Sequence, residues 1–154
     1  AGTEDGVTEP EATFSSCFGA PFMPLHPTFY AKMLAKKIKE KNVNVWLINT
    51  GWVSGPYGVG YRIKLNHTRA IIDSALNNDL TKEEYITDEI FGLKIPKSCP
   101  NVPDNILQPW KTWDSKSSYL KQAKKLAILF NENFEKFNKF SDKEILLGGP
   151  IFKK

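Results

Sequence analysis

Asn49-Thr50-Gly51-Trp52-Val53-Ser54-Gly55-Pro56-Tyr57-Gly58-Val59-Gly60-Tyr61-Arg62-Ile63, running on to Thr68-Arg69-Ala70-Ile71-Ile72-Asp73, is the stretch on which the reading of this chain turns. Gly51, Gly55, Gly58, Gly60 and Pro56 separate an apolar run, Val43 to Ile48, from an apolar-periodic segment. The run scarcely alternates, so Asn42 to Asn49 reads as a strand buried on both faces. Tyr61 to Leu65 suits a short strand. Asn66 or His67 can cap a helix reaching about Leu76, with Ile71, Ile72, Ala75 and Leu76 as its apolar face. Glycine has no Cβ to hold a ligand away from the backbone. A strand, a glycine-rich loop and a basic residue ahead of a helix therefore suit a phosphate-bearing ligand such as a nucleotide, at the carboxyl end of the strand. The same glycines also suit a hairpin or an ordinary turn, because the spacing is neither G-x-x-x-x-G-K-[ST] nor G-x-G-x-x-G.

Upstream of this stretch, Thr28 to Lys41 is helical in pattern, with Tyr30, Met33, Leu34 and Ile38 on one face and Pro27 suited to the first helical position. Lys32, Lys36, Lys39 and Glu40 fall elsewhere on the helix and read as a solvated face. Phe14 to Phe22 is apolar and aromatic, either a strand or a packed loop, and Pro21, Pro24 and Pro27 then interrupt regular structure. Ala1 to Glu11 carries Glu4, Asp5, Glu9 and Glu11 and no basic residue, as a mobile surface segment does.

Downstream, Asp79 to Glu89 is acidic and polar. Ile90 to Trp113 carries Pro96, Pro100, Pro103 and Pro109 and reads as a long irregular segment wrapping the surface, pinned by Phe91, Leu93, Ile95, Trp110 and Trp113. Asp114 or Ser115 can cap a last helix running to about Phe137. Tyr119, Ala123, Leu126, Ala127, Phe130, Phe134 and Phe137 recur there at steps of three and four. Glu132 and Lys136 are spaced for an i,i+4 pair.

Composition bounds the rest. The chain has 154 residues, a hydrophobic content of 41%, a charged content of 25% and a net charge of +4. That is ordinary for one globular domain with a sizeable core, and the mild positive charge permits an anionic ligand without demanding nucleic acid. Cys17 and Cys99 lie far apart and form no C-x-x-C, which argues against a zinc site or a disulfide framework and for reduced thiols in a cytoplasmic protein. No run approaches a membrane span and no signal peptide is visible. Asn66-His67-Thr68 matches a glycosylation acceptor pattern, but a helix start accounts for it better. His26 and His67 have no partners at metal-ligand spacing and read as structural.

Taken in order, Ala1-Gly2-Thr3-Glu4, Val7-Thr8-Glu9-Pro10, Phe14-Ser15-Ser16-Cys17-Phe18-Gly19, Leu25-His26-Pro27, Asn49-Thr50-Gly51-Trp52, and Arg62-Ile63 with Thr68-Arg69-Ala70-Ile71-Ile72-Asp73 closely resemble the C-terminal part of ATP-dependent phosphoenolpyruvate carboxykinases. The likeness runs from Ala1 to about Phe137, and Gly149-Pro150 fits the family's C-terminus. It implies a mixed α/β (α+β) fold, the C-terminal nucleotide-binding part of the carboxykinase fold, incomplete on its own. Residues 1–12 would belong to the active-site lid and 13–154 to the nucleotide-binding domain.

Residue by residue, the resemblance assigns Arg62, Ile63 and Thr68 to the adenine site of ATP. A guanidinium can cover a purine, Ile63 offers an apolar wall, and a threonine hydroxyl can bond the base edge. Without the resemblance, Arg62 reads as a surface arginine after a turn and Thr68 as a helix-start residue. The whole enzyme would convert oxaloacetate and ATP to phosphoenolpyruvate, carbon dioxide and ADP in gluconeogenesis, with Mg2+ and Mn2+ as its divalent cations. The phosphate loop, the metal ligands and the oxaloacetate-binding residues would precede Ala1, so this chain is expected to be inert alone. Where the resemblance and the residues diverge is the spacer Val53 to Val59, whose length leaves the shape of the pocket entrance open. A second reading, from the lysine-rich helices and a pI near 9.0, is a stand-alone basic module that binds anions or nucleic acid. Against it, no aromatics interleave those lysines as a single-strand binder requires.

Overall fold

Helices carry most of the regular structure, and the strands are short antiparallel pairs. A computed structural model of the chain describes residues 19–56 and 58–152, together with Gly6 and Phe14. The expectations for residues 1–12, and for most of the segment from Phe14 to Phe22, fall outside the described residues.

The first helix, α1, spans Pro27–Lys41. It begins where Pro27 takes the first helical position and the His26 ring accepts from the Thr28 amide at 3.4 Å. It ends at Asn42 in the left-handed conformation, a residue type that tolerates it. The His26 ring also bonds the Thr28 hydroxyl at 2.7 Å and lies against Phe137 and Phe140, a structural role as expected for it.

Residues 43–50 correct the sequence reading. They form no strand, and Val43, Val45 and Leu47 are exposed, Leu47 at 80%. The hydrophobicity was read correctly, but a strand exists only as part of a ladder, and no described segment pairs with this one. The glycine-rich stretch that follows is the hairpin its spacing allowed. Strands β1 (Trp52–Val53) and β2 (Tyr61–Arg62) pair antiparallel, Trp52 opposite Arg62 and Val53 opposite Tyr61.

Helix α2 (Leu65–Leu76) starts slightly earlier than the capping residues suggested. Its N-cap is Lys64, which makes no side-chain cap bond, so Asn66 and His67 lie inside the helix. Next come a short 3-10 turn, Asp79–Lys82, and a second hairpin, β3 (Tyr85–Thr87) with β4 (Lys94–Pro96). This hairpin replaces the irregular start expected at Ile90. Lys97 bonds Glu84 at 2.6 Å just beyond the ladder and holds that carboxyl below its usual range, while Ser98 bonds Glu83. Helix α3 (Asp104–Leu107) and the turn Pro109–Lys111 follow. Helix α4 (Lys116–Phe134) is capped by Ser115, whose hydroxyl accepts from the Ser118 amide at 3.1 Å. The chain closes with a 3-10 run, Glu135–Phe140, and α5, Lys143–Leu147. Lys136 bonds Asn133 at 2.9 Å, where an i,i+4 pair with Glu132 was expected.

Among the described residues, the buried apolar side chains gather in two clusters. Leu80, Cys99 and Val102 form one, with Trp46, Ile71, Ala75 and Leu107 packed against it. Ile90, Ala123 and Ala127 form the other, with Phe91, Tyr119, Leu120 and Phe152 around them. Both clusters draw on the 90–113 segment, which winds over the surface and is pinned by Phe91, Trp110 and Trp113, while Leu93 stays exposed.

Candidate functional site

The predicted nucleotide contacts stand where β2 gives way to α2. Arg62 closes β2 and is exposed. Ile63 is half-buried and its amide donates to the Gly51 carbonyl at 3.0 Å, which shuts the base of the β1–β2 hairpin. Thr68 lies in the first turn of α2, its amide donating to the Lys64 carbonyl at 3.2 Å, and is 9% exposed. Arg62 and Ile63 thus stand at the end of β2, and Thr68 lies in the first turn of the helix that follows.

Trp52, which the sequence reading quoted only as part of a motif, belongs to the same hairpin. It lies directly across the ladder from Arg62, so the indole and the guanidinium rise from the same face of the hairpin. The signal was the hairpin reading of the glycines, which fixes 52 opposite 62.

The loop between the strands is closed on itself. The Val59 and Gly60 amides both donate to the Pro56 carbonyl, at 3.1 and 2.9 Å, and the Gly51 amide donates to the Asn49 side chain at 2.8 Å. These donors are therefore committed within the loop and do not form a phosphate cradle. Gly60 is there for close packing: a Cβ on it would overlap the Val53 and Gly55 carbonyl oxygens. The argument that a ligand collects at the carboxyl end of a preceding strand also lapses, since 43–50 is not a strand.

Two open clefts flank α2. One, about 490 Å³, is lined by Leu65, Asn66, Arg69, Asp73, Asn77 and Asn101 among others. The other, about 500 Å³, lies between residues 42–48 and the far side of α2, at Ile72, Ala75 and Leu76. The indole nitrogen of Trp46, which lines it, is buried with no hydrogen-bond partner among the described residues. Neither cleft takes in Arg62, Ile63 or Thr68. The His67 ring is set against the Asn101 carbonyl at 3.4 Å. Among the described residues, no group of three or more His, Cys, Asp or Glu is placed to hold a metal ion. No helix among them is long and apolar enough to cross a membrane.

A polar knot forms in the turn between β3 and β4. The buried Asp88 carboxylate accepts from the Ile90 and Phe91 amides at 2.9 and 2.6 Å. It also accepts from the Tyr119 hydroxyl of α4. Burial, followed by that carboxylate's charge and hydrogen bond, pushes the Tyr119 phenol up to about 12. Lys116 pairs with Glu89 at 3.1 Å beside it.

The profile of the phosphoenolpyruvate carboxykinase family matches residues 1–105. The chain is 58% identical over 151 residues to phosphoenolpyruvate carboxykinase (ATP) of Flavobacterium johnsoniae, covering 98% of this chain and 28% of that protein. It is 60% identical over 136 residues to the enzyme of the same name from Brevibacillus brevis, covering 88% of this chain and 26% of the relative. With that of Emericella nidulans it shares 52% over 152 residues, 98% of this chain and 25% of the relative. The chain thus spans well under a third of the length of these curated relatives.

Proposed function

We propose a function from one starting point: this chain belongs to the ATP-dependent phosphoenolpyruvate carboxykinase family. It is the C-terminal portion of an enzyme that converts oxaloacetate and ATP to phosphoenolpyruvate, carbon dioxide and ADP in gluconeogenesis. The observation that carries this is the identity of 58% sustained across 98% of the chain. Residues 13–154 supply the nucleotide-binding side of that enzyme, and 1–12 a part of its lid. A lid closing over the reacting enolate would keep water, and so protons, away from it.

Arg62, Ile63 and Thr68 hold the adenine of ATP. The exposed Arg62 covers the face of the base, Ile63 walls it, and the Thr68 hydroxyl reaches the base edge once a ligand draws it out. Mg2+ and Mn2+ would polarise the substrate and ride with the nucleotide phosphates. This chain's proposed share in that chemistry is the nucleotide and part of the lid. The protein acts in the cytoplasm, with ATP, oxaloacetate and the rest of the same polypeptide as its partners.

The test is Arg62→Ala in the full-length enzyme. KM for ATP should rise about tenfold, the equivalent of roughly 1.4 kcal/mol, with KM for oxaloacetate unchanged. An unaltered KM for ATP would overturn the adenine assignment. The isolated 154-residue chain should show no carboxykinase turnover, and robust turnover would refute the division of labour.

A further inference from the structure

We propose that Thr112 is a positioning residue for nucleotide binding, fastening the hairpin that carries Arg62 to the body of the chain; this rests on the adenine role of Arg62 above. The β1–β2 ladder is two residues long on each strand, and a two-stranded hairpin of that size does not hold its own place. One contact that fastens it is a hydrogen bond from the Ser54 amide to the Thr112 hydroxyl, 3.2 Å long and spanning 58 residues of sequence.

The chemistry of the hydroxyl makes this bond directional. Thr112 donates its one proton to the Pro109 carbonyl at 2.8 Å, which leaves its lone pairs to accept from Ser54. The acceptor stands on a firm base. The Thr112 amide also returns to Pro109, at 3.0 Å, and the rings of Trp110 and Trp113 on either side lie 6.2 and 5.9 Å from the Tyr119 ring of α4. The donor stands on a strained one. Ser54 has a φ of 67°, a left-handed conformation that its surroundings must enforce on a non-glycine residue. Buried Val53 and Gly55 flank it, and the bond itself is partly buried.

Geometry then runs directly from Thr112 to Arg62. Ser54 follows Val53, Val53 pairs with Tyr61, and Trp52 pairs with Arg62. Fixing Ser54 fixes where the Arg62 backbone rises and so where its guanidinium meets the base. Loss of the fastening should cost nucleotide affinity and leave the chemical step alone.

The experiment compares Thr112→Val, which matches the shape but has no hydroxyl, with Thr112→Ser in the full-length enzyme. Thr112→Val should raise KM for ATP by about threefold to tenfold, with kcat and KM for oxaloacetate unchanged, and Thr112→Ser should restore the wild-type value. A Thr112→Val enzyme with unchanged KM for ATP, or one losing kcat alone, would overturn the inference. Amide exchange supplies a second readout should the valine variant prove too unstable to assay. Exchange at Ser54 and the hairpin amides should quicken already in Thr112→Ala, ahead of those of α4, and equal exchange in both regions would count against a local fastening. Arg62→Ala measured alongside separates the two proposals. If it leaves KM for ATP unchanged, the adenine reading fails; if it raises KM and Thr112→Val does not, only the role of Thr112 fails.

Discussion

Helices α1 and α4 carry much the same sequence pattern and meet different fates. Both have an apolar stripe at steps of three and four, a lysine-rich opposite face and a side-chain cap. On α4 the stripe becomes core: Ala127 is fully buried and Ala123 nearly so, against Ile90 and Phe91. On α1 no residue is buried, and Met33 and Leu34 stand 49% and 61% exposed. The pattern specifies the helix, but burial depends on whether another element arrives to cover it. For α4 the element is the 88–93 turn, folded back by Asp88; for α1 none of the described residues takes that part.

That contrast can be broken most directly by placing a charge on each stripe of the isolated chain. Ala127→Asp buries an unpaired carboxylate and should cost about 4 kcal/mol or unfold the chain, whereas Leu34→Asp should change stability by less than about 0.5 kcal/mol. Urea titration followed by circular dichroism reads both, and equal losses would show that α1 is covered after all. Asp88→Ala should follow at about 2 kcal/mol, since it strips a charged acceptor from two amides and the Tyr119 hydroxyl. If α4 holds the turn without it, the cost will vanish.

The smallest effect is one of pH. The Tyr119 phenol titrates higher in the folded chain than in the unfolded one, about 12 against an ordinary 10.0, so the folded form holds its proton more tightly. Its contribution is fully present below pH 10 and is lost as pH climbs towards 12. The stability difference between the wild type and Tyr119→Phe should therefore be flat up to about pH 10 and shrink above it. A difference that stayed constant to pH 12 would place the phenol outside the knot.

What could be read in the sequence followed from local rules. Pro27 and Ser115 marked their helix starts because capping is a matter of neighbouring residues, and the α4 stripe announced itself over five turns. The family was legible from ordered short motifs; the adenine role of Arg62, Ile63 and Thr68 is a proposal that rests on them. The β3–β4 hairpin was not: its ladder is three residues long, too short for alternation to register, and its turn hides behind Asp88 and Gly92. Val43 to Ile48 misled for the opposite reason. Its apolar run has the content of a strand, but the ladder depends on a neighbour that no local pattern reveals. Thr112 was invisible because its meaning lies 58 residues away, at Ser54.

The buried thiol of Cys99, packed between Leu80 and Val102, has a practical consequence. An alkylating reagent can reach that sulfur only when the cluster opens, so the rate of its modification times the breathing of the fold's centre. Resolved by peptide mass from Cys17, the same label would report, minute by minute, how often the middle of the chain comes apart while its secondary structure still looks intact.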